Sequence, residues 1–275
     1  MSTILKAFSK EELIEKFKII YSKGWIENYR GKNDGAVGNI LEDLLEIPEN
    51  NLPIPNAAEW ELKAQRSTTT SLVTLFHSEP SPRALSIVPN ILLPQFGWPH
   101  KLAGILYPNE EKSFRATINA KSFSDRGIKV NVNYNESKVE IIFDSRYTDE
   151  RHKKWLSSVE KRAGHLNNFD IVPYWGFEDL FHKAGTKLIN CFYVRADVKF
   201  EGKGVRRREF FLYNYVLKLS GFDLSKFIGA INDGKIYIDF DARTGHNHGT
   251  KFRIGYNDIP SLYKNVEVVI DKREH

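Results

Sequence analysis

Glu61 and Lys63, separated by one residue, are the pair in this chain whose types and spacing best suit chemistry on a phosphodiester. In a strand, side chains two positions apart share a face, so both would project together while Trp60, Leu62 and Ala64 face the core. A carboxylate can hold Mg²⁺ against a phosphate oxygen, and an ammonium beside it can orient the attacking water. The pair therefore predicts metal-assisted phosphodiester hydrolysis.

Two upstream side chains could complete such a site. Asn56, in the proline-rich turn before the strand, could supply a second oxygen ligand to the metal. Glu42 lies outside the apolar stripe of a predicted helix and could hold Lys63 or a metal-bound water. A lone Glu-x-Lys on a strand is usually a solvated ion pair, so the combination with these upstream residues is what favours catalysis.

Polar side chains concentrate again near the C-terminus, in the run from Asp239 to Arg253. In the major groove, guanine accepts from arginine, lysine or histidine, and the cytosine amino group donates to a carboxylate. This run supplies both types, which favours DNA readout. The alternative is metal binding by its His-x-His segment, although no further Cys or His spacing supports a closed metal site. The candidate donors are Arg243, His246, His248, Lys251 and Arg253, and the candidate acceptors are Asp239 and Asp241.

His77 and Arg83 are further candidates for DNA contact. His77 follows an apolar run and precedes a proline-rich turn, so it would lie where a strand ends. Arg83, Arg66 and the arginines at 206–208 could contact phosphates, which position a protein without reading sequence. The run 206–208 lies beside a Gly-x-Gly turn, and its alternative interpretation is a solvated hairpin tip.

The composition argues against a membrane protein and against a secreted protein held together by disulfides. The chain has 275 residues and one cysteine, and it contains no apolar run near the roughly 20 residues that span a bilayer. The net charge of +5 permits a polyanionic partner without requiring one. The expectation is a soluble, cytoplasmic globular protein with no membrane association and no internal disulfide.

The predicted elements are helices first and a mixed α+β body after them. Ser9 and Glu12 form a capping-box signature, which predicts a helix ending at Lys23 before Gly24. The runs 128–143 and 187–219 are predicted to be hairpins. Further helices are predicted at 35–45, 149–162, 177–183 and 224–232, and strands at 60–64, 71–76, 114–120, 128–134, 138–143, 187–200, 207–219, 235–241, 251–254 and 266–270.

Six sequence blocks follow one another in a characteristic order. They are Gly38 to Leu52, Pro55–Asn56, Glu61 to Lys63, Ser71 to Arg83, Tyr174 to Leu180 and His246 to Ile254. This ordered set resembles the MvaI/BcnI family of type II restriction endonucleases, relatives of the mismatch-repair nickase MutH within the PD-(D/E)xK nuclease fold. The resemblance extends from about Gly24 to Ile270. Glu-x-Lys is not specific to this family, whereas the order of the blocks is.

The resemblance implies an α+β endonuclease domain, 1–275, with two lobes around a DNA cleft. The catalytic lobe would comprise about 1–165 plus the C-terminal strands, and the recognition lobe about 166–258. It implies Mg²⁺-dependent cleavage of double-stranded DNA at short sites that begin with CC and end with GG. It also implies a monomer in preference to a dimer, with a cognate DNA methyltransferase in the same system that it does not contact.

Carried over by position, the resemblance makes Glu42 the helix carboxylate, Glu61 the strand carboxylate and Lys63 the lysine, and it places His77 near the minor groove. Asn56 stands where the family has an aspartate. Three explanations are open. The first, which we prefer, is an Asp-to-Asn inactivation, because this change keeps the shape of the side chain and removes only its charge. The others are a natural low-activity variant, or an enzyme in which Glu59, on the Glu61 face of a regular strand, takes the role of the aspartate.

Two rival functions follow from these observations. Asn56 motivates a DNA-binding protein of the same fold that no longer cuts. The relationship to MutH motivates a mismatch-repair nickase, which would cut only unmethylated GATC. Cleavage of CC/GG-containing DNA in the presence of Mg²⁺ distinguishes the endonuclease from both.

Overall fold

The computed structural model describes residues 8–31, 33, 35–47, 57 and 59–273. The chain divides into two compact units. Unit 1 comprises Met1–Val73, Ala184–Asp223 and Ile259–His275, and unit 2 comprises Thr74–Lys183 and Leu224–Asp258. The catalytic lobe (about 1–165 plus the C-terminal strands) and the recognition lobe (about 166–258) that the resemblance implies stay predictions.

The structure is a mixed α+β fold, as the sequence predicted. Six α-helices lie within the described residues, and they are numbered in chain order. They are α1 (Lys10–Ser22), α2 (Ala36–Leu44), α3 (Leu93–Phe96), α4 (Lys153–Ala163), α5 (Phe177–Leu188) and α6 (Leu224–Asn232). Shorter helical turns lie at Arg83–Leu85, Val88–Leu92, Glu150–His152, Gly204–Arg206 and Tyr256–Leu262.

The strands are likewise numbered in chain order. They are β1 (Ile26–Glu27), β2 (Glu61–Arg66), β3 (Val73–His77), β4 (Trp98–Pro99), β5 (Lys112–Ile118), β6 (Arg126–Asn133), β7 (Lys138–Thr148), β8 (Tyr174–Gly176), β9 (Asn190–Glu201), β10 (Arg208–Phe222), β11 (Ile236–Arg243), β12 (His246–Asn247), β13 (Lys251–Ile254) and β14 (Tyr263–Asp271).

The sheet of unit 1 has the order β1-β10-β9-β2, with β14 also paired to β10. β9 and β10 form the antiparallel hairpin that the sequence predicted. β2 pairs with β9 in parallel, and this register sets Glu61 beside Cys191 and Lys63 beside Tyr193. The parallel pairing brings a late segment of the chain next to the Glu-x-Lys strand.

One face of this sheet is covered by α1 and α2. The predicted capping box is confirmed, since the Glu12 amide donates to Ser9 Oγ and the Ser9 amide donates to Glu12 Oε2. Phe192 of β9 packs on Phe17 of α1 and on Trp60, with ring centroids 5.0 and 4.7 Å apart. Trp60 and Leu62 belong to the core of unit 1, as predicted.

Polar contacts fix α2, the helix that carries Glu42. Tyr213 Oη of β10 donates to the Val37 carbonyl at 2.8 Å, and burial raises the pKa of Tyr213. Asp43 accepts from Tyr29 Oη and pairs with Arg30. The hydrogen bonds from Arg30 hold the pKa of Asp43 below its ordinary value. α2 is therefore tied to β10 near its start and to the segment after β1 near its end.

Unit 2 contains two sheets. The larger has the order β3-β13-β11-β5-β4, with β12 on β11, and the smaller has the order β6-β7-β8, which includes the predicted β6–β7 hairpin. Phe252 of β13 packs on Phe76 and Trp175, with ring centroids 4.9 and 5.2 Å apart. In β11 buried residues alternate with half-buried ones, so one face packs inward and the other carries polar side chains.

Several features differ from the sequence predictions. Lys187 lies in α5 rather than at the start of the predicted strand 187–200, because this helix extends to Leu188. Helical turns occupy much of the region from Arg83 to Phe96, which was assigned no element, because Pro89 and Pro94 interrupt the helical pattern there. In addition, β2 begins at Glu61 rather than Trp60. Within the described residues, no helix is both long and apolar enough to cross a membrane.

Candidate active site and nucleic-acid interface

Glu61 and Lys63 lie on the same face of β2, as their spacing predicts. Lys63 Nζ is 2.7 Å from Glu61 Oε1. The exposed fraction of the Glu61 side chain is 1% and that of Lys63 is 16%. The two charges therefore form a close, largely desolvated pair, in contrast to the solvated surface ion pair that a lone Glu-x-Lys on a strand usually forms.

Weakly polar groups lie around the Glu61 carboxylate. Cys191, opposite Glu61 on β9, is fully buried, and burial together with the negative charge of Glu61 raises the pKa of its thiol to about 12. Tyr263 interacts with Cys191, and burial raises the pKa of the phenol well above its ordinary value. Both groups remain protonated near neutral pH, so neither adds a negative charge beside Glu61.

Lys187, which the sequence analysis missed, also approaches the carboxylate. It lies in the last turn of α5, and its Nζ is 3.7 Å from Glu61 Oε1. Its side chain is 26% exposed, more than that of Lys63. No local pattern links Lys187 to Glu61, because the two meet through the parallel pairing of β2 with β9.

The second oxygen of the carboxylate is unsatisfied. Glu61 Oε2 is buried, and it has no hydrogen-bond partner in the described part of the chain. A buried carboxylate oxygen without a donor is electrostatically unfavourable, and a cation would relieve it. Residues 8–31, 33, 35–47, 57 and 59–273 contain no cluster of three or more His, Cys, Asp and Glu that could hold a metal. Glu61 thus fits one ligand of a hard cation rather than a complete cage.

Of the other candidate catalytic residues, the structure describes some and not others. Glu42 is half-buried on α2, which packs against β2. Asn56 lies outside the described residues. Glu59 is exposed in a turn closed by backbone hydrogen bonds between Ala57 and Trp60, both 2.9 Å long. The regular strand assumed for Glu59 is therefore wrong, and Glu59 does not share the Glu61 face of β2.

Unit 2 gathers most of the predicted DNA-reading residues on the polar face of its larger sheet. Asp239, Asp241 and Arg243 alternate with buried residues along β11, and Lys251 and Arg253 do the same along β13. The sequence analysis predicted strands at 235–241 and 251–254, and the structure extends the first of them to Arg243. We call the face formed by β5, β11 and β13 the charged face, and its side chains are ordered by cross-strand contacts.

Asp241 joins all three strands of the charged face. Its Oδ1 is 2.8 Å from Arg115 Nε of β5, and its Oδ2 is 3.2 Å from Lys251 Nζ of β13. Burial alone would raise the pKa of Asp241, but the hydrogen bond from Lys251 and the charges of both cations hold it below its ordinary value. Asp241 is therefore an ionised acceptor near neutral pH.

Asp239 makes a similar set of contacts. Thr117 Oγ1 of β5 donates to Asp239 Oδ1 at 2.9 Å, and Arg253 Nη1 of β13 lies 3.1 Å from Asp239 Oδ2. The sequence analysis did not identify Thr117 or Arg115. Their alignment with the aspartates depends on the register between β5 and β11, which no motif in the sequence encodes.

The remaining donors surround this face. Arg243 Nη1 lies 3.0 Å from Oε1 of the buried Glu111. The Arg243 guanidinium also lies over the Tyr107 ring, so these two contacts hold it in place. His246 and His248 are exposed, with ring centroids 4.3 Å apart. A Cβ placed on Gly249 would come within 3.5 Å of His77 Cδ2, so His77 adjoins the same turn.

The arginines considered as phosphate contacts have different environments. Arg83 is exposed in its short helical turn. Arg66 at the end of β2 pairs with Glu209 of β10, with Nε 2.8 Å from Oε1, which makes it a structural tie within unit 1. In the run 206–208, Arg208 pairs with Glu27 and Arg207 lies over the Phe200 ring.

Comparison with solved structures identifies the class of fold. A restriction endonuclease MvaI–cognate DNA substrate complex matches with a TM-score of 0.74 and 21% identity, over 96% of this chain and 100% of that chain. Restriction endonuclease MvaI in the absence of DNA matches with a TM-score of 0.52 and 20% identity, over 97% of this chain and 100% of that one. The chain has the mixed α+β fold of these MvaI structures, consistent with a PD-(D/E)xK-like fold.

The family is shown by sequence. The model of the MvaI/BcnI restriction endonuclease family matches residues 14–263. The chain belongs to this family, as the ordered blocks indicated. No curated protein is significantly similar to the chain in sequence.

Proposed function

We propose that this protein is a sequence-specific type II restriction endonuclease that hydrolyses double-stranded DNA at short CC/GG-containing sites with Mg²⁺. The observation that carries the proposal is the desolvated Glu61–Lys63 pair on β2, with Glu61 Oε2 left unpartnered among the described residues. Membership of a restriction endonuclease family supports the same assignment. A solvated ion pair would leave no buried carboxylate oxygen in need of a cation.

Glu61 and Asn56 are the proposed ligands of Mg²⁺. When bound, the ion would supply positive charge at the phosphate and favour deprotonation of the attacking water. An amide oxygen can coordinate Mg²⁺, but it carries no charge and binds a hard cation less strongly than a carboxylate does. Asn56 is therefore the residue that sets how much activity this chain retains.

Lys63 and Glu42 are the proposed supporting groups. Lys63 Nζ holds Glu61 Oε1 and thereby directs Oε2 away from the pair. The same ammonium donates to the water that attacks in line, and its charge offsets the charge that builds on phosphorus. Glu42, held on α2, would orient Lys63 or a water bound to the metal.

The charged face of unit 2 is the proposed surface for direct readout. Asp239 and Asp241 accept from cytosine amino groups, and Arg243, Lys251 and Arg253 donate to guanine. His246 and His248 add donors at the adjoining turn, while His77 and Arg83 contact the groove and the backbone. Pre-ordered charged side chains can discriminate between the correct and an incorrect base pair, because a mismatched base leaves a desolvated charge unpaired.

The proposal includes a cellular setting. The enzyme acts in the cytoplasm as a monomer that nicks one strand and rebinds to cut the other. A cognate DNA methyltransferase in the same restriction-modification system protects the host sites without direct contact. Sedimentation of the protein on a short cognate duplex tests the monomer: one protein per duplex is expected, and two would contradict it.

Cleavage of a plasmid that contains CC/GG sites, with and without Mg²⁺, tests the function. Nicks and double-strand breaks at those sites are expected only with Mg²⁺. The second candidate function is a cleavage-inactive DNA-binding protein, which Asn56 favours. Tight site-specific binding with intact DNA, in this chain and in Asn56→Asp alike, would support that candidate instead.

A further inference from the structure

We propose that Lys187 is a second functional lysine of the Glu61 site and that its ammonium binds a non-bridging oxygen of the scissile phosphate. This inference rests on the proposed function. It assigns a substrate-contacting role to a residue that neither the Glu-x-Lys motif nor its upstream partners include.

Charge at the site is the first observation. Two ammonium groups face one carboxylate oxygen, with Lys63 Nζ at 2.7 Å and Lys187 Nζ at 3.7 Å from Glu61 Oε1. One carboxylate neutralises one ammonium, so Lys63, Lys187 and Glu61 together carry one formal positive charge in excess, which favours an anion beside the more exposed lysine.

The length of the Lys187 contact is the second observation. At 3.7 Å the ammonium is within Coulombic range of Glu61 Oε1 but beyond hydrogen-bond distance. A lysine ammonium has three donors. Within the described residues, Glu61 is the only carboxylate in salt-bridge range of Lys187. Its donors are thus available to an incoming phosphate.

Exposure separates the roles of the two lysines. Lys63 is the less exposed and is hydrogen-bonded to Glu61, so it stays with the carboxylate. Lys187 is 26% exposed at the end of a helix, on a long side chain that can turn toward a ligand. Binding by Lys187 forms and breaks no covalent bond, and the ammonium keeps its proton. The alternative is that Lys187 only stabilises the C-terminus of α5.

A double-mutant cycle on binding tests the contact directly. The duplex is the CC/GG sequence that the unmodified protein selects from a random pool, and its partner duplex carries a neutral methylphosphonate at the scissile position. Affinities of the unmodified protein and of Lys187→Ala are measured in EDTA, which excludes cleavage. A charge-assisted hydrogen bond predicts that Lys187→Ala weakens binding of the ordinary duplex by about tenfold or more, with little change for the methylphosphonate duplex.

Matched variants complete the test. Lys161→Ala removes the same charge from an exposed position on α4 and should weaken binding of both duplexes equally, if at all. Lys187→Arg should retain most of the coupling, and Lys187→Gln, checked by thermal unfolding, replaces Lys187→Ala if the latter unfolds.

Two outcomes would overturn the role of Lys187. One is equal weakening of both duplexes by Lys187→Ala, and the other is no weakening of either. Failure of the unmodified protein to select any sequence would instead overturn the proposed function, and the role of Lys187 with it.

Discussion

Glu61 Oε1 and Lys63 Nζ lie 2.7 Å apart on one face of an edge strand, and the glutamate side chain is 1% exposed. Burial of such a pair costs desolvation free energy that its Coulombic attraction does not always recover. The Glu61–Lys63 pair is buried, and one carboxylate oxygen has no partner among the described residues. Such a pair is weak evidence for a contribution to folding stability and stronger evidence for a functional site.

Glu61→Gln should remove cleavage while leaving DNA binding in place. The amide keeps the shape of the side chain but withdraws the charge that Lys63 and the metal both need. We expect the cleavage rate to fall by about 100-fold or more, and affinity for the selected duplex in EDTA to stay near that of the unmodified protein. Glu59→Gln, in the exposed turn, is the control and should cleave normally; loss of cleavage in both variants would contradict this account.

Asn56→Asp should increase activity. It adds a carboxylate where the family has one, and a carboxylate binds Mg²⁺ more strongly than an amide oxygen. We expect faster cleavage and a lower Mg²⁺ concentration at half-maximal rate, measured by titration with a fixed duplex. Asn51→Asp adds the same charge five residues earlier in the sequence and should change neither quantity. Unchanged Mg²⁺ dependence in Asn56→Asp would show that position 56 is not a ligand.

Asp241→Asn should relax specificity at one base pair. The variant removes an ionised acceptor that Arg115 and Lys251 hold in place. We expect discrimination at one position of the site to fall by about 1–3 kcal/mol, measured by competition binding with single-base variants. Asp144→Asn is the control, because Asp144 pairs with Arg146 on β7, which is not a strand of the charged face. Equal weakening on every sequence would make Asp241 a structural residue instead.

Glu209→Gln should destabilise the protein in a pH-dependent way. The hydrogen bond from Arg66 lowers the pKa of Glu209 in the folded state. The unfolded chain therefore holds this proton more tightly, so the stabilisation is fully present above the ordinary glutamate pKa of about 4.3 and is lost as pH falls through the folded-state value.

Denaturant unfolding of Glu209→Gln and of the unmodified protein measures this effect. The difference in the free energy of unfolding should be constant near neutral pH and shrink below the ordinary pKa. Glu201→Gln alters an exposed pair with Lys199 and should have little effect at any pH. A difference that grows in acid would show that Arg66 does not stabilise the ionised carboxylate.

Much of unit 1 follows from local patterns in the sequence. The capping box at Ser9, the apolar stripe of α2 and the alternation around Glu61 each depend on neighbouring residues, and each prediction is confirmed. Lys187 could not be found in this way, because it reaches Glu61 through pairing between segments far apart in sequence. The partner strands of Asp239 and Asp241 were missed for the same reason.

The prediction for Glu59 failed for a different reason. Strand alternation was extended through a segment where the backbone turns between Ala57 and Trp60. Strand ends are the least certain part of any reading from sequence, and a one-residue error reverses the face on which a side chain lies. The contacts of Asn56, outside the described residues, stay a prediction.

Cleavage mapping on a random-sequence DNA library in the presence of Mg²⁺ tests the central claim most directly. The account predicts breaks at short sites that begin with CC and end with GG, strengthened by Asn56→Asp and absent in Glu61→Gln. Breaks without sequence preference, or undiminished cleavage by Glu61→Gln, would contradict it.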